Sequence, residues 1–322
     1  MPIRSFLLIV MLIVCSGCRN KEVLEPRTGD ARQLWLYFYA SDGSLRAWNR
    51  VPGSRVYRVV GFSARGVQYC DMCGCDPLRG LFYTRSGSKG IHFFSPQRQQ
   101  SVTLSFKNDA GDPQGIAIDE VKGYVYWTAR NYPTGSPTEV VLRLPFDEVH
   151  KAIQAADDAP IELVPERVAT VAESKRGQFK VGAIDAFRGK LMLEWEGTND
   201  DEQQRHYLTV FDPDVHPDGN LLSECRRNYS DLGKEGWGCH SLFEKGGDFS
   251  GGGDVDVDEG VEPLRVYWAR PIGIRNQHVA WMGFTDRREA GMRQTNAKSR
   301  YIAVDPRSNV IYSTANDVGS GI

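Results

Sequence analysis

The stretch PQGIAIDEVKGYVYWT, residues Pro113–Thr128, encodes one β-hairpin. Residues 116–118 form a short apolar run, and residues 119–123 contain the Asp and Gly of a turn. Residues 124–128 are aromatic and β-branched, which is typical of a half-buried strand. The stretch therefore predicts two antiparallel strands joined by a tight turn.

The hairpin recurs along the chain, and an Asp residue before the turn marks each copy. These residues are Asp76, Asp119, Asp185, Asp258 and Asp305. The fourth residue after the Asp is glycine or asparagine in every copy except that of Asp258, whose turn has two extra residues. We expect the Asp to accept backbone N–H bonds of its own turn, a structural role, rather than to bind a metal.

The spacing of the copies predicts a propeller blade as the repeating unit. Successive Asp residues are 43, 66, 73 and 47 residues apart. Two intervals match the roughly 40 to 50 residues of a four-stranded blade, and the other two indicate a blade with an insertion. Small residues two positions before the Asp, such as Ala117 and Ala183, suit inner strands that crowd around a common axis.

Residues 113–128 resemble the YWTD repeat of the propellers of the low-density-lipoprotein-receptor type, and the wider set of NHL and SMP-30-like propellers. Tyr126 and Trp127 carry the match, while Ala129 stands where the motif has Asp. The resemblance implies one all-β propeller over residues 34–322, with six blades preferred and five as the alternative. Propellers include binding proteins and enzymes alike, so the resemblance concerns fold more than function.

The two ends of the repeat array are incomplete in complementary ways. Three strands are predicted over Leu34–Ala40, Ser44–Asn49 and Arg55–Val60, without a preceding Asp-turn hairpin. The last copy, Arg300–Thr314, is a hairpin with almost nothing after it. We therefore expect strands from both chain ends to close the ring.

The N-terminus predicts export. Residues 1–17 contain Arg4 and then the apolar run Phe6–Val14, too short to span a bilayer, as in a signal peptide. Cys18 follows Ser-Gly and resembles the lipidated Cys of a bacterial lipobox. Residues 18–33 then form a tether, and Arg19 favours the outer membrane; the alternative is an ordinary secreted protein.

Two insertions separate the copies. Residues 138–176 contain a predicted helix over Asp147–Ala156 and an extended segment over Pro160–Ala169. Residues 197–253 are polar and rich in glycine, and form either a sixth blade or a long excursion that binds a partner.

Five cysteines fall in the predicted propeller. We predict a disulfide between Cys225 and Cys239, which bracket a polar loop in a compartment that permits disulfides. Cys70, Cys73 and Cys75 favour core thiols or one disulfide over a metal site, because no second ligand pair follows at zinc spacing.

Asp254, Asp256 and Asp258 alternate along a predicted strand and would present three carboxylates on one face. That chemistry suits a divalent cation such as calcium. The alternative is a solvated strand, or an Asp256 that lines a wet central channel in place of the usual Ala or Gly.

Three classes of function remain after the motifs are compared. A net charge of −2 gives no basic footprint for nucleic acid. No nucleophile elbow, phosphate loop or HExxH motif appears in the sequence, so no catalytic residue is assigned and no cofactor beyond the divalent cation is predicted. The leading interpretation is a non-catalytic binding protein for an envelope protein or glycan. The alternatives are a metal-dependent hydrolase or lactonase resembling the SMP-30-like propellers, with Asp256 at the metal, and a purely structural envelope protein.

Overall fold

The computed structural model describes most predicted strands and the segments between some of them. The described residues are 13–14, 34–39, 45–50, 57–61, 70–76, 80–85, 90–95, 100–119, 121–133, 135–136, 138–155, 161–173, 180–198, 204–215, 221, 237–241, 255–258, 261–272, 276–284, 290–295, 302–305 and 310–313. Over these ranges the chain is mostly antiparallel β-structure with one α-helix. None of the helical structure described there is long and apolar enough to cross a membrane.

The described strands form six antiparallel sheets, numbered here in chain order. Sheet 1 contains β1 (Ile13–Val14), β2 (Leu34–Tyr39), β3 (Leu45–Arg50) and β4 (Tyr57–Gly61). Sheet 2 contains β5 (Cys70–Asp76), β6 (Gly80–Arg85), β7 (Ile91–Ser95) and β8 (Gln100–Thr103).

Sheet 3 carries the helix and a small parallel pair as additions. Its strands are β10 (Asp112–Asp119), β11 (Tyr124–Arg130), β12 (Thr138–Pro145) and β14 (Glu166–Glu173). Helix α1 (Phe146–Ala155) follows β12, and β13 (Glu162–Leu163) pairs in parallel with β9 (Ser105–Phe106).

Sheets 4 and 5 have four strands each, and sheet 6 has two. Sheet 4 contains β15 (Lys180–Phe187), β16 (Lys190–Thr198), β17 (Gln204–Phe211) and β18 (Trp237–Ser241). Sheet 5 contains β19 (Val255–Asp258), β20 (Arg265–Ile272), β21 (Asn276–Gly283) and β22 (Ala290–Thr295), and sheet 6 contains β23 (Ile302–Asp305) and β24 (Val310–Ser313).

The first strands of the six sheets lie side by side. Their order is β5, β10, β15, β19, β23 and β1, so the sheets follow one another as blades do around an axis. Because the sheets inside this series have a neighbour on both faces, alternate residues of one of their strands enter two different cores. Ile118 packs toward sheet 2, whereas Ala117 packs toward sheet 4. The fold is thus propeller-like.

The core between sheets 3 and 4 shows how these faces are filled. Fully buried Tyr126 comes from sheet 3, and Trp195 and Tyr207 come from sheet 4 with their rings stacked at 4.3 Å. Burying a side chain of this size stabilises the fold by roughly 2 to 3 kcal/mol. Leu221, which lies in the second predicted insertion, is also fully buried here.

The strands predicted at the N-terminal end and the helix predicted in the first insertion are confirmed, but within the described residues the two chain ends do not share a blade: the N-terminal strands form sheet 1 with β1, and the last hairpin forms sheet 6 by itself. The three N-terminal strands are β2 to β4, within two residues of their predicted bounds. The helix predicted over 147–156 is α1, and its acidic first turn, Asp147 and Glu148, suits the positive end of the helix dipole.

The strands described in the second insertion belong to sheet 4 and form no separate blade, which is evidence against one alternative left open by the sequence. Strands β17 and β18 both lie inside residues 197–253, and both pair within sheet 4. They complete the blade that the Asp185 hairpin begins. The excess length is instead concentrated between Phe211 and Trp237.

Turn length makes the repeats less equivalent than their spacing implies. Asp119 pairs with Tyr124 at the end of its hairpin, but Asp185 pairs with Met192 because the turn of sheet 4 comes two residues later. In sheet 2 the turn is one residue shorter, so Phe82, and not Tyr83, faces the small residue Gly74. Spacing from the Asp therefore does not fix which residue occupies the equivalent position.

Candidate binding surface between sheets 3 and 4

The turn of the Asp119 hairpin begins the most richly bonded polar cluster in the described part of the chain. The Asp119 Oδ1 atom accepts the N–H of Val121 at 2.9 Å and that of Lys122 at 3.1 Å. Gly123, at φ 74°, closes the turn with its N–H on the Asp119 carbonyl at 2.9 Å. Burial raises the pKa of Asp119, against the lowering effect of these two N–H bonds.

Lys122 projects from this turn across the interface to sheet 4. Its Nζ atom lies 2.7 Å from Asp212 Oδ1 and 2.6 Å from Asp214 Oδ2. Its stem crosses Gly189, where a Cβ would lie 3.1 Å from the Lys122 Cε atom. Burial opposes the ammonium charge, but both carboxylates outweigh that effect and raise the pKa of Lys122. The start of the long β17–β18 connection is thereby tied to sheet 3.

Arg143 extends the same cluster along sheet 3. Its guanidinium holds both carboxylate oxygens of Glu166, at 2.9 and 3.0 Å, and donates to Asp214 Oδ1 at 2.8 Å. It also covers the ring of Tyr124, with 4.4 Å between the guanidinium carbon and the ring centroid. Asp214 therefore joins two cations of sheet 3, one in the β10–β11 turn and one on β12.

The cations of this cluster are covered, and the acids face solvent. The Lys122 and Arg143 side chains are 21% and 13% exposed, whereas those of Asp214 and Glu166 are 50% and 61% exposed. Solvent and ligands therefore meet carboxylate oxygens more than ammonium or guanidinium groups.

Exposed apolar side chains lie close in sequence to the residues of this cluster. Val121 precedes Lys122 and is 74% exposed, and Val215 follows Asp214 and is 64% exposed. Val164, two residues before Glu166, is also exposed. Together Val121, Val164, Glu166, Asp214 and Val215 form what is here called the rim surface.

Behind the rim, a buried hydroxyl crosses the same interface. Thr128 Oγ1 accepts the N–H of Gly115 at 2.8 Å and donates to the carbonyl of Gly182, on β15, at 3.1 Å. A Cβ at Gly115 would come within 2.9 Å of the same Gly182 oxygen. The two inner strands approach so closely here that only glycine fits.

The next interface, between sheets 4 and 5, uses different groups. Asp185 accepts the N–H of Ala186 at 2.8 Å and that of Val257, on β19, at 3.1 Å. At the exposed edge, Arg188 donates to Glu262 at 2.8 Å. The repeated Asp therefore caps its own turn in sheet 3 and bridges to the neighbouring sheet from sheet 4.

The predicted aromatic pair of the repeat is divided between two cores. Tyr126 faces sheet 4 and Trp127 faces sheet 2, and both are fully buried. The Trp127 indole donates to the carbonyl of Ala110 at 3.3 Å. Neither ring is available to a ligand at the surface.

Two of the three predicted metal ligands are buried on one face of β19. Asp256 pairs with Tyr267, and Asp258 pairs with Arg265. Asp254 lies outside the described residues. Within the described ranges no group of three metal-ligating side chains is brought together.

The remaining predicted residues are placed only in part. Cys239 lies on β18, paired with Thr209, and Cys225 lies outside the described residues, as does Cys18. Cys70, Cys73 and Cys75 lie on β5, with side chains outside the described part. The backbones of Asp76 and Asp305 end β5 and β23.

Sequence reasoning missed Lys122, Arg143, Asp212 and Asp214. One signal was available: the Asp212-Pro213-Asp214 turn places two carboxylates at the point where the long connection leaves β17. Their partner could not be identified, because Lys122 is remote in sequence and long side chains reach across interfaces that spacing does not reveal.

Comparison with known proteins bears on fold alone. No family model and no curated protein matches the chain. A solved structure of Kuenenia stuttgartiensis hydrazine synthase is similar at 11% identity over 87% of this chain and 70% of that one, with a TM-score of 0.52. The WD40 domain of SCAP from fission yeast matches at 9% identity over 89% of this chain and 65% of that one, with a TM-score of 0.36. At such identities the likeness to hydrazine synthase concerns the course of the backbone and not a reaction.

Proposed function

We propose that the chain is an exported, lipid-anchored, six-bladed β-propeller that binds a protein or glycan of the cell envelope without catalysis. The observation that carries the proposal is the rim surface, where exposed valines flank in sequence the residues of an ordered charge cluster. Ordered polar groups beside exposed apolar side chains are what a recognition site requires. The rim surface also lies where the β17–β18 connection begins, the segment whose extra length no blade needs.

The test is a replacement that spares the fold. Deleting residues 215–250 would remove β18, so residues 222–236 are the correct target, which also retains buried Leu221. We expect the full chain with a Gly-Ser linker at 222–236 to melt near the unmodified protein and to lose capture of its partner from envelope extract. Arg188→Ala, at the other interface, is the control and should retain capture. Absence of any captured protein or glycan by the unmodified chain would refute the binding function.

Ring closure is proposed through the chain ends. In support, β23 lies against β19, so the last hairpin follows sheet 5; its contact with β1 belongs to the uncleaved chain, because β1 precedes Cys18. Closure of the mature ring then needs the last hairpin to meet the remaining strands of sheet 1 and sheet 1 to meet sheet 2, and truncation after residue 299 would open the ring and lower the melting temperature sharply.

The lipid anchor has a consequence for sheet 1. Ile13 and Val14 pair with Tyr37 and Leu36, and cleavage before Cys18 would remove them and expose that edge of β2. The mass of the mature N-terminal peptide decides this, since lipidated Cys18 supports the anchor and an intact Ile13 contradicts it. Cys18→Ala should release the anchored protein from the outer-membrane fraction.

A second candidate, a metal-dependent hydrolase or lactonase, is favoured by the two buried carboxylates of β19. Same-face residues of a strand are about 6 to 7 Å apart, a spacing that a cation can bridge with further ligands. The described residues supply two carboxylates, and Arg265 already stands beside Asp258. Elemental analysis of the purified protein distinguishes the candidates: one bound divalent ion favours the hydrolase, and its absence favours the binding protein.

A further inference from the structure

From the rim surface we infer that the partner is a protein segment combining apolar side chains with Lys or Arg. The inference rests on the proposed binding function and narrows its ligand from protein or glycan to one kind of protein.

Two exposed valines stand next in sequence to the partners of one ion pair. Val121 and Val215 are chain neighbours of Lys122 and Asp214, whose Nζ and Oδ2 atoms are 2.6 Å apart. The ion pair fixes the two segments that carry these exposed valines to each other, although the segments belong to different sheets. Single exposed apolar residues are ordinary on protein surfaces, but a fixed group of them is typical of an interaction site.

The charged side chains that this surface exposes to solvent are acidic. Asp214 and Glu166 expose about half or more of their side chains, while Lys122 and Arg143 are mostly covered. Each of these carboxylate oxygens retains a lone pair that a further N–H donor can use. A partner with Lys or Arg beside its apolar residues therefore complements this surface, and one with Asp or Glu is repelled.

Other ligand classes fit less well. A glycan usually stacks on aromatic faces, but the exposed large apolar side chains in the described ranges are all valine or isoleucine, and Arg143 covers Tyr124. An anionic lipid surface would be repelled by Asp214 and Glu166. A second copy docked through the same surface would oppose like charges.

The experiment places a photoreactive benzoylphenylalanine at Val121 or Val215 of the full chain, with the same residue at Arg188 as the control. Each protein is irradiated in envelope extract, and the adducts are identified by mass spectrometry. We expect Val121 and Val215 to label one segment of another protein, rich in apolar residues with Lys or Arg. Adducts to glycan, to lipid, to an acidic segment or to a second copy would overturn the inference, as would no labelling above the Arg188 control.

A second readout uses substitutions that leave the core intact. Val121→Asp with Val215→Asp should weaken capture at least tenfold without a large change in melting temperature, and Arg188→Ala should leave capture unchanged. Unchanged capture by the double variant overturns the inference while the binding function stands. If capture is lost only when residues 222–236 are replaced, the inference is likewise overturned and the binding function stands. If the unmodified chain captures nothing, the binding function itself is refuted.

Discussion

The interfaces on the two faces of sheet 4 are built from the same repeat but are joined by different chemistry. Between sheets 3 and 4, the neutral Thr128 hydroxyl bonds Gly182, and Lys122 holds two carboxylates at the rim. Between sheets 4 and 5, the Asp185 carboxylate bonds the Val257 N–H. Turn length explains the difference: Asp119 stands at its turn and caps it, whereas Asp185 stands two residues before its turn. A repeat can therefore conserve spacing while changing which side chain crosses to the next sheet.

The largest expected effect is at Thr128. Thr128→Val keeps the shape but leaves the Gly115 N–H and Gly182 carbonyl buried without this partner. Each buried unsatisfied group costs about 1 to 3 kcal/mol, so we expect a loss of roughly 2 to 4 kcal/mol in chemical denaturation. Thr128→Ser, which keeps the hydroxyl, is the matched control; equal stability of the valine and serine variants would show that the bridge is unimportant.

Substitution of Asp185 should cause the second-largest loss of stability. Asp185→Ala removes the acceptor of the Ala186 and Val257 N–H groups, with an expected cost of about 1.5 to 3 kcal/mol. Asp185→Asn retains one oxygen acceptor and should cost less. If the alanine variant unfolds at the same denaturant concentration as the unmodified protein, the carboxylate does not couple sheets 4 and 5.

The rim ion pairs should contribute least. Lys122→Met retains the apolar stem over Gly189 and removes the charge, so a change of up to about 1 kcal/mol is expected. The effect should shrink in high salt, because exposed charges are screened. A cost that is large and independent of salt would mean that the stem, and not the charge, is important.

Lowering the pH should remove the stabilisation that the Lys122 ion pairs provide. Burial favours the neutral form of Asp212, but Lys122 outweighs it and lowers the pKa, and Lys122 lowers the pKa of Asp214 as well. A carboxyl group whose pKa is lower in the folded than in the unfolded protein stabilises the fold fully above its unfolded-state pKa of about 4. This stabilisation is lost as the pH falls through the folded-state pKa. The melting-temperature difference between the unmodified protein and Lys122→Met should thus be constant above about pH 5 and shrink below about pH 4. Burial raises the pKa of Asp119 and the charge of Lys122 lowers it, so Lys122→Met also removes this attraction, and protonation of Asp119 makes the difference between the two proteins shrink in the same direction.

The sequence predicted local structure well and cross-sheet chemistry poorly. Turn glycines and β-branched runs located the hairpin of residues 113–128 and the N-terminal strands, because those signals act over a few residues. The role of Asp185 was misjudged, since a shift of two residues in the turn changes its register. Lys122 and Asp214 were missed because their pairing depends on how two blades pack.

Amide hydrogen exchange of the full chain, with and without the captured partner, tests the binding surface most directly. If the rim surface binds the partner, added protection appears in residues 119–123 and 212–215 and is absent from the turn of sheet 5, residues 261–264. Protection confined to that turn, or to segments remote from the interface of sheets 3 and 4, would contradict the account.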